Sequence, residues 1–154
     1  DFHGLHRAFD VADGSLLWQT RTERGGQAAP AIADGRVFIG LMGGGAQKTE
    51  LAPIGVGMMS ALNLTTGELL WQTPTDANPS GEAVSCAPDT FNNAAVGADG
   101  TVYFGFYGGF VYAVDGVSGE LLDSYEIKEG IQGAPAIGDG VVYFQGCTTL
   151  FAFR

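Results

Sequence analysis

Apolar and polar positions alternate along this chain in short stretches separated by glycine, aspartate and asparagine, the pattern of half-buried strands and not of helices. The alternation predicts strands over residues 7–11, 16–20, 29–33 and 36–41, with turn residues between them. The same pattern then returns twice. Residues 7–18, 60–71 and 112–123 align as one phrase, in which Gly14, Gly67 and Gly119 hold equivalent positions, and residues 29–40, 94–105 and 134–145 align as a second. Two phrases per period make two hairpins. In the first, Asp10, Asn63 or Asp115 is placed to accept hydrogen bonds from the backbone amides that follow, while the glycine takes a positive φ. In the second, Asp34-Gly35, Asp99-Gly100 and Asp139-Gly140 are strong hairpin signals.

A four-stranded antiparallel unit repeated at about 40 to 50 residues is the sequence mark of a β-propeller blade, which buries its faces against neighbouring blades. The expected fold is therefore all-β: one segment over residues 1–154 built of three four-stranded antiparallel repeats, at about 5–58, 59–110 and 111–154. Trp18 and Trp71 share one slot in the repeat, where an aromatic ring can wedge between blades and hydrogen-bond through its indole N–H. The third copy has Asp123 there, so that junction is expected to be sealed differently, with Tyr125 the candidate. Three blades do not close a ring, since propellers typically use four to eight. The chain reads as an arc completed by further blades of the same protein, by a second copy or by another subunit, and an isolated monomer is the least expected state because open edges invite pairing. With residues 16–20 taken as the innermost strand, the two long insertions, 42–57 and 73–92, fall at one end of the blades.

Composition removes several functions. The hydrophobic content of 45% is enough for a core, and the 25 glycines show no collagen period. Seventeen acidic against seven basic side chains give a net charge of -10, which excludes nucleic acid as a partner and reads first as a solubilising surface. No apolar run reaches the roughly 18 residues of a membrane helix, and the first residues lack the features of a signal peptide. The start at Asp1, without a methionine, suggests a trimmed product or part of a longer protein.

Candidate chemistry is sparse. The second insertion ends in Asp89, Asn92 and Asn93, polar groups that can hold a cation or polar ligand, or can simply satisfy turn backbone. Cys86 and Cys147 fall on one face of adjacent blades, which permits a disulfide; the separation of channel from rim argues instead for two partly buried thiols. They are too few and too far apart for a zinc cluster. His3 and His6 bring no metal pair together on a strand, Gly43-Gly44-Gly45 lacks the lysine of a phosphate loop, and no serine-histidine-carboxylate set can be assembled. The site therefore contains no predicted metal, and its catalytic residues are unassigned.

The aliphatic-Ala-hydrophobic-Asp strand, the Thr-Gly turn and the Leu-hydrophobic-Trp strand of residues 7–18 and 60–71 resemble the repeats of the pyrroloquinoline-quinone-binding-like propellers. The order of features, ending in residues 150–154, is similar to the C-terminal blades of polyvinyl-alcohol-dehydrogenase-like quinoproteins. The resemblance implies a periplasmic or extracellular setting and two alternatives. One is a scaffold or protein-interaction module with no chemistry of its own. The other is part of a quinoprotein alcohol dehydrogenase that holds pyrroloquinoline quinone and calcium, with Asp89, Asn92 and Asn93 as candidate contacts. No Cys-x-x-Cys-His haem site is present.

Overall fold

The computed structural model describes residues 3–26, 28–41, 57–75, 93–106, 109–131 and 133–154, and every regular element among them is a strand. In chain order these are β1 (Leu5–Phe9), β2 (Leu16–Arg21), β3 (Ala31–Ala33), β4 (Arg36–Leu41), β5 (Met58–Asn63), β6 (Leu69–Pro74) and β7 (Ala94–Val96). There follow β8 (Thr101–Phe106), β9 (Phe110–Asp115), β10 (Leu121–Glu126), β11 (Ala136–Gly138), β12 (Val141–Gln145) and β13 (Leu150–Phe153). They form four antiparallel sheets, β1-β2, β3-β4-β5-β6, β7-β8-β9-β10 and β11-β12-β13. The all-β blade architecture and the open arc are as the repeats imply.

The grouping of strands differs by one position from the expected one. The Leu-Leu-Trp strands, β2, β6 and β10, do not begin sheets; each is paired with the strand before it and lies on the sheet's last edge. The reason is local. A tight turn joins β5 to β6, where Gly67 N–H donates to Asn63 O at 2.9 Å, and the matching turns are closed by Gly14 to Asp10 and Gly119 to Asp115, both at 2.8 Å. The far end of the same hairpins is pinned by Thr22, Thr75 and Ile127 N–H donating to Gly4, Gly57 and Gly109 carbonyls at 2.8, 2.9 and 2.7 Å. A hairpin closed at both ends stays in one sheet, while the looser segment after it crosses to the next. A sequence repeat fixes the period but leaves open where in it a sheet begins.

Burial follows the pleat. In β4, Val37, Ile39 and Leu41 point to one face, where they meet Leu62 and Trp18, while Phe38 points to the other with Met59 and Ala61. Phe38, Met59 and Ala61 pack against Val102, Phe104, Phe106, Tyr112 and Val114 of the third sheet. Val111, Ile127, Ile131, Val142 and Phe144 fill the junction between third and fourth sheets. Each junction between sheets thus has its own apolar cluster. The short strands β3 and β7 touch one another, which marks them as the converging, inner strands. Leu41, Met58 and Pro74 are cross-strand neighbours, so both insertions leave the second sheet from the same end.

Candidate functional site

The described residues most consistently arranged for recognition lie where an outer strand meets the turn of the next sheet. In each such turn an Asx side chain organises the backbone: Asp10 Oδ1 accepts from Ala12 N–H at 2.8 Å, Asn63 Oδ1 from Thr65 and Thr66 at 2.8 and 3.0 Å, and Asp115 Oδ1 from Val117 and Ser118 at 3.0 and 2.7 Å. These amides, Ser118's foremost, hold the Asp115 carboxyl below the ordinary carboxylate range. Gly14, Gly67 and Gly119 have φ of 75, 73 and 76°, a left-handed conformation that favours glycine.

Two of the three turns are locked by the preceding sheet. Trp18 Nε1–H donates to Leu64 O at 2.8 Å and Thr20 Oγ1–H to Gly67 O, while the Trp18 ring lies over the bare Cα of Gly67. One blade on, Trp71 Nε1–H donates to Gly116 O at 3.2 Å and Thr73 Oγ1–H to Gly119 O, with the Trp71 ring over Gly119. The third junction has Asp123 and Tyr125 at these positions. Tyr125 meets Phe153 edge-on at 5.4 Å between ring centres, and Phe153 meets Phe144 at 5.8 Å. Between the third and fourth sheets a slot of about 330 Å³ remains, with Tyr103, Asp123, Tyr125, Phe144, Phe153 and Arg154 among its lining.

A clamp that the repeats do not encode sits beside this junction. Glu129, between β10 and β11, accepts hydrogen bonds from Thr148 N–H at 2.9 Å and Oγ1–H at 2.9 Å, and from Thr149 N–H at 3.2 Å and Oγ1–H at 2.7 Å. These bonds, the Thr148 backbone first, hold its carboxyl at about 2, below the ordinary 4.5. A carboxyl lowered in the folded state adds stability above its unfolded value, and that contribution fades as pH falls from about 4.5 through about 2. Glu129→Gln is accordingly expected to lower the melting temperature at neutral pH and to converge with the parent protein by pH about 2. Thermal melts across that range test this, and a gap constant with pH would reject it. The only sequence signal for the clamp is Thr148-Thr149, which has no counterpart in the repeats.

The other candidates are dispersed. Asn93, next to inner strand β7, accepts the Ala29 N–H at 2.8 Å through Oδ1 and so ties the second and third sheets together. Asp89 and Asn92 lie outside the described residues, as do Cys86 and Gly43-Gly44-Gly45. Because β6 is an outer strand, the second insertion follows an outer strand, where the sequence reading has it leave the innermost one. Cys147 is disulfide-bonded, in place of the partly buried thiol expected for it. His3 is exposed in a turn, and His6 shares a 2.9 Å hydrogen bond with Thr22, so the two imidazoles serve separate surroundings. Burial, ahead of charge at the N-terminus, lowers the pKa of His6. No three His, Cys, Asp or Glu side chains gather as a metal group among the described residues, and no described helix is long and apolar enough to cross a membrane.

Sheets whose inner strands converge, whose faces pack through apolar clusters and whose outer strands lock the next turn define an arc of β-propeller blades. The chain belongs to the outer membrane protein assembly factor BamB family, whose model matches residues 56–152. It is 30% identical over 146 residues to the dehydrogenase subunit of the quinone alcohol dehydrogenase of Gluconacetobacter polyoxogenes, a match that covers 86% of this chain and 18% of the relative. The structure of BamB from Moraxella catarrhalis is similar over 99% of this chain and 44% of its own, with a TM-score of 0.72 and 19% identity. Quinohemoprotein alcohol dehydrogenase ADHIIG from Pseudomonas putida HK5 is similar over 86% of this chain and 19% of its own, with a TM-score of 0.61 and 24% identity. At these identities the structural likenesses speak for the fold. The chain spans 18% of the length of the curated relatives it matches.

Proposed function

We propose that this chain is a propeller scaffold and binding module of a periplasmic or extracellular protein or complex, with its function carried by contacts to further blades. The observation that carries this reading is that sheet packs on sheet as blade on blade, each junction with its own apolar cluster, in a chain that spans 18% of its curated relatives and 44% of the BamB chain it resembles. Further blades can come from the same protein, a second copy or another subunit.

The identity to quinone alcohol dehydrogenase subunits favours a second reading, in which the chain is part of a quinoprotein alcohol dehydrogenase and Asp89, Asn92 and Asn93 contact pyrroloquinoline quinone and calcium. A ligand that binds the native state must raise its stability. On the scaffold reading, adding the quinone and calcium leaves the melting temperature unchanged and no alcohol is turned over with an artificial acceptor. A saturable rise in melting temperature would favour the dehydrogenase.

On either reading we propose Cys86, the chain's other cysteine, as the partner of Cys147. Peptide mapping of unreduced protein is expected to recover the two linked. Recovery of both as alkylated thiols would sink the assignment.

A further inference from the structure

The turn that opens each outer strand carries the same exposed chemistry in all three copies. In the second sheet, which packs against a neighbouring sheet on either side, Leu64, Leu69 and Leu70 remain 39, 41 and 42% exposed. Their exposure is thus a property of a blade covered on both faces. Leu16-Leu17 and Leu121-Leu122 repeat the exposed pair on the first and third sheets. The tryptophan locks join the pairs into one stripe. Trp18, one residue after Leu17, meets the Leu64 carbonyl, and Trp71, one residue after Leu70, meets Gly116 in the turn that leads to Leu121. The stripe lies on the rim, at the opposite end of the β5-β6 hairpin from Leu41, Met58 and Pro74, where both insertions leave. Contiguous apolar surface bordered by polar groups marks a contact site, unlike scattered single leucines. The border here has one sign. Residues 10–18, 63–71 and 115–123 contain Asp10, Asp13, Glu68, Asp115, Glu120 and Asp123 and no lysine or arginine, and Arg36 of β4 sets one opposing charge near Asp115.

We propose that this rim stripe of leucine pairs is a docking surface for a basic amphipathic helix of a partner protein. The apolar face of the helix covers the leucines, and lysines or arginines along its borders meet the carboxylates of the turns. Charge complementarity selects this occupant. A second copy would set the same acidic turns against one another, and an anionic membrane surface would be repelled in the same way. The stripe serves on either reading of the function, because it lies outside the faces where sheet packs on sheet and at the end of the blade away from both insertions.

Two labelled peptides test this by fluorescence anisotropy: an amphipathic helix built of leucine and lysine, and its counterpart with glutamate in place of lysine. The lysine helix is expected to bind the parent protein saturably and the glutamate helix not to bind. Replacing the pair, Leu69→Ser with Leu70→Ser, should weaken binding of the lysine helix about tenfold. Ile32→Ser, at an equally exposed apolar residue of inner strand β3, should leave it unchanged. Glu68→Lys, at an exposed turn position, should weaken it roughly threefold at low salt and less as salt is added, and carries the test if the double variant fails to fold. No saturable binding, or equal affinity for the parent, the double variant and Glu68→Lys, would overturn the proposal. A dimer of the parent protein in sedimentation equilibrium that the leucine replacements abolish would assign the stripe to a second copy and overturn it as well.

Discussion

Trp71→Ala is expected to destabilise the protein by about 3 kcal/mol, seen as a lower urea midpoint at unchanged slope. Three contributions converge on this ring. It packs against the apolar cluster between the second and third sheets, with its centre 5.9 Å from that of Phe38. Its Nε1–H meets the Gly116 carbonyl at 3.2 Å, a bond worth about 1 kcal/mol net. Its face covers Gly119, where no Cβ stands in the way. Truncation leaves the space between two rigid sheets partly empty, and a blade held by strand ladders cannot close around it. Asp123→Ala, at the same position of the third junction, removes no such ring, and a change within about 0.5 kcal/mol is expected for it. Equal losses at 71 and 123 would contradict the description of the first two junctions as locked by a ring that position 123 does not supply.

The contrast between these positions also marks how far the sequence could be read. Turn geometry was legible because it is local: an Asx side chain reaching its own amides and a glycine at positive φ need only a few consecutive residues. The strand period was legible for the same reason, since Val37, Ile39 and Leu41 alternate with Phe38 whatever they pack against. The phase of the sheet was not, because whether Leu16–Arg21 opens one blade or closes another depends on the pairing of Trp18 with Ala8, a relation between hairpins. The Glu129 clamp was hidden too. A glutamate in a connecting loop carries no mark of the two threonines that lie 19 and 20 residues further on. The bulges of the outer hairpins, at Ala8/Phe9, Ala61/Leu62 and Leu121/Asp123, add local twist beside Trp18, Trp71 and Asp123, and they too arise from pairing between strands. Asn93 shows the limit for the site. Its candidacy as a ligand comes from being polar where an apolar residue is expected, and the structure adds a contact between blades that no local pattern encodes, the Ala29 N–H donating to its Oδ1.

A second large effect is expected at Gly67, and its size can be separated into parts by comparison with Gly14. Both glycines close the same kind of turn at nearly the same φ, 73 and 75°. Alanine at either position must hold the left-handed conformation, at about 1 kcal/mol. At Gly14 a new Cβ meets nothing within 4 Å, so the loss should stop there. At Gly67 it would stand 2.5 Å from Trp18 Cε3, 2.6 Å from Cδ2 and 2.8 Å from Thr20 Oγ1. The obstacle is an indole already held by its hydrogen bond to Leu64 and packed on the Val37, Ile39 and Leu41 cluster, so it has little freedom to retreat. Overpacking of this kind adds about 1 to 3 kcal/mol. Gly67→Ala should therefore lose about 2 to 4 kcal/mol in chemical denaturation, and Gly14→Ala about 1. Combining Gly67→Ala with Trp18→Ala should recover much of the excess, because removing the ring removes the collision, and the two changes should then be strongly non-additive. Losses that are equal at 14 and 67, or additive with Trp18→Ala, would show that the ring is not seated on the turn.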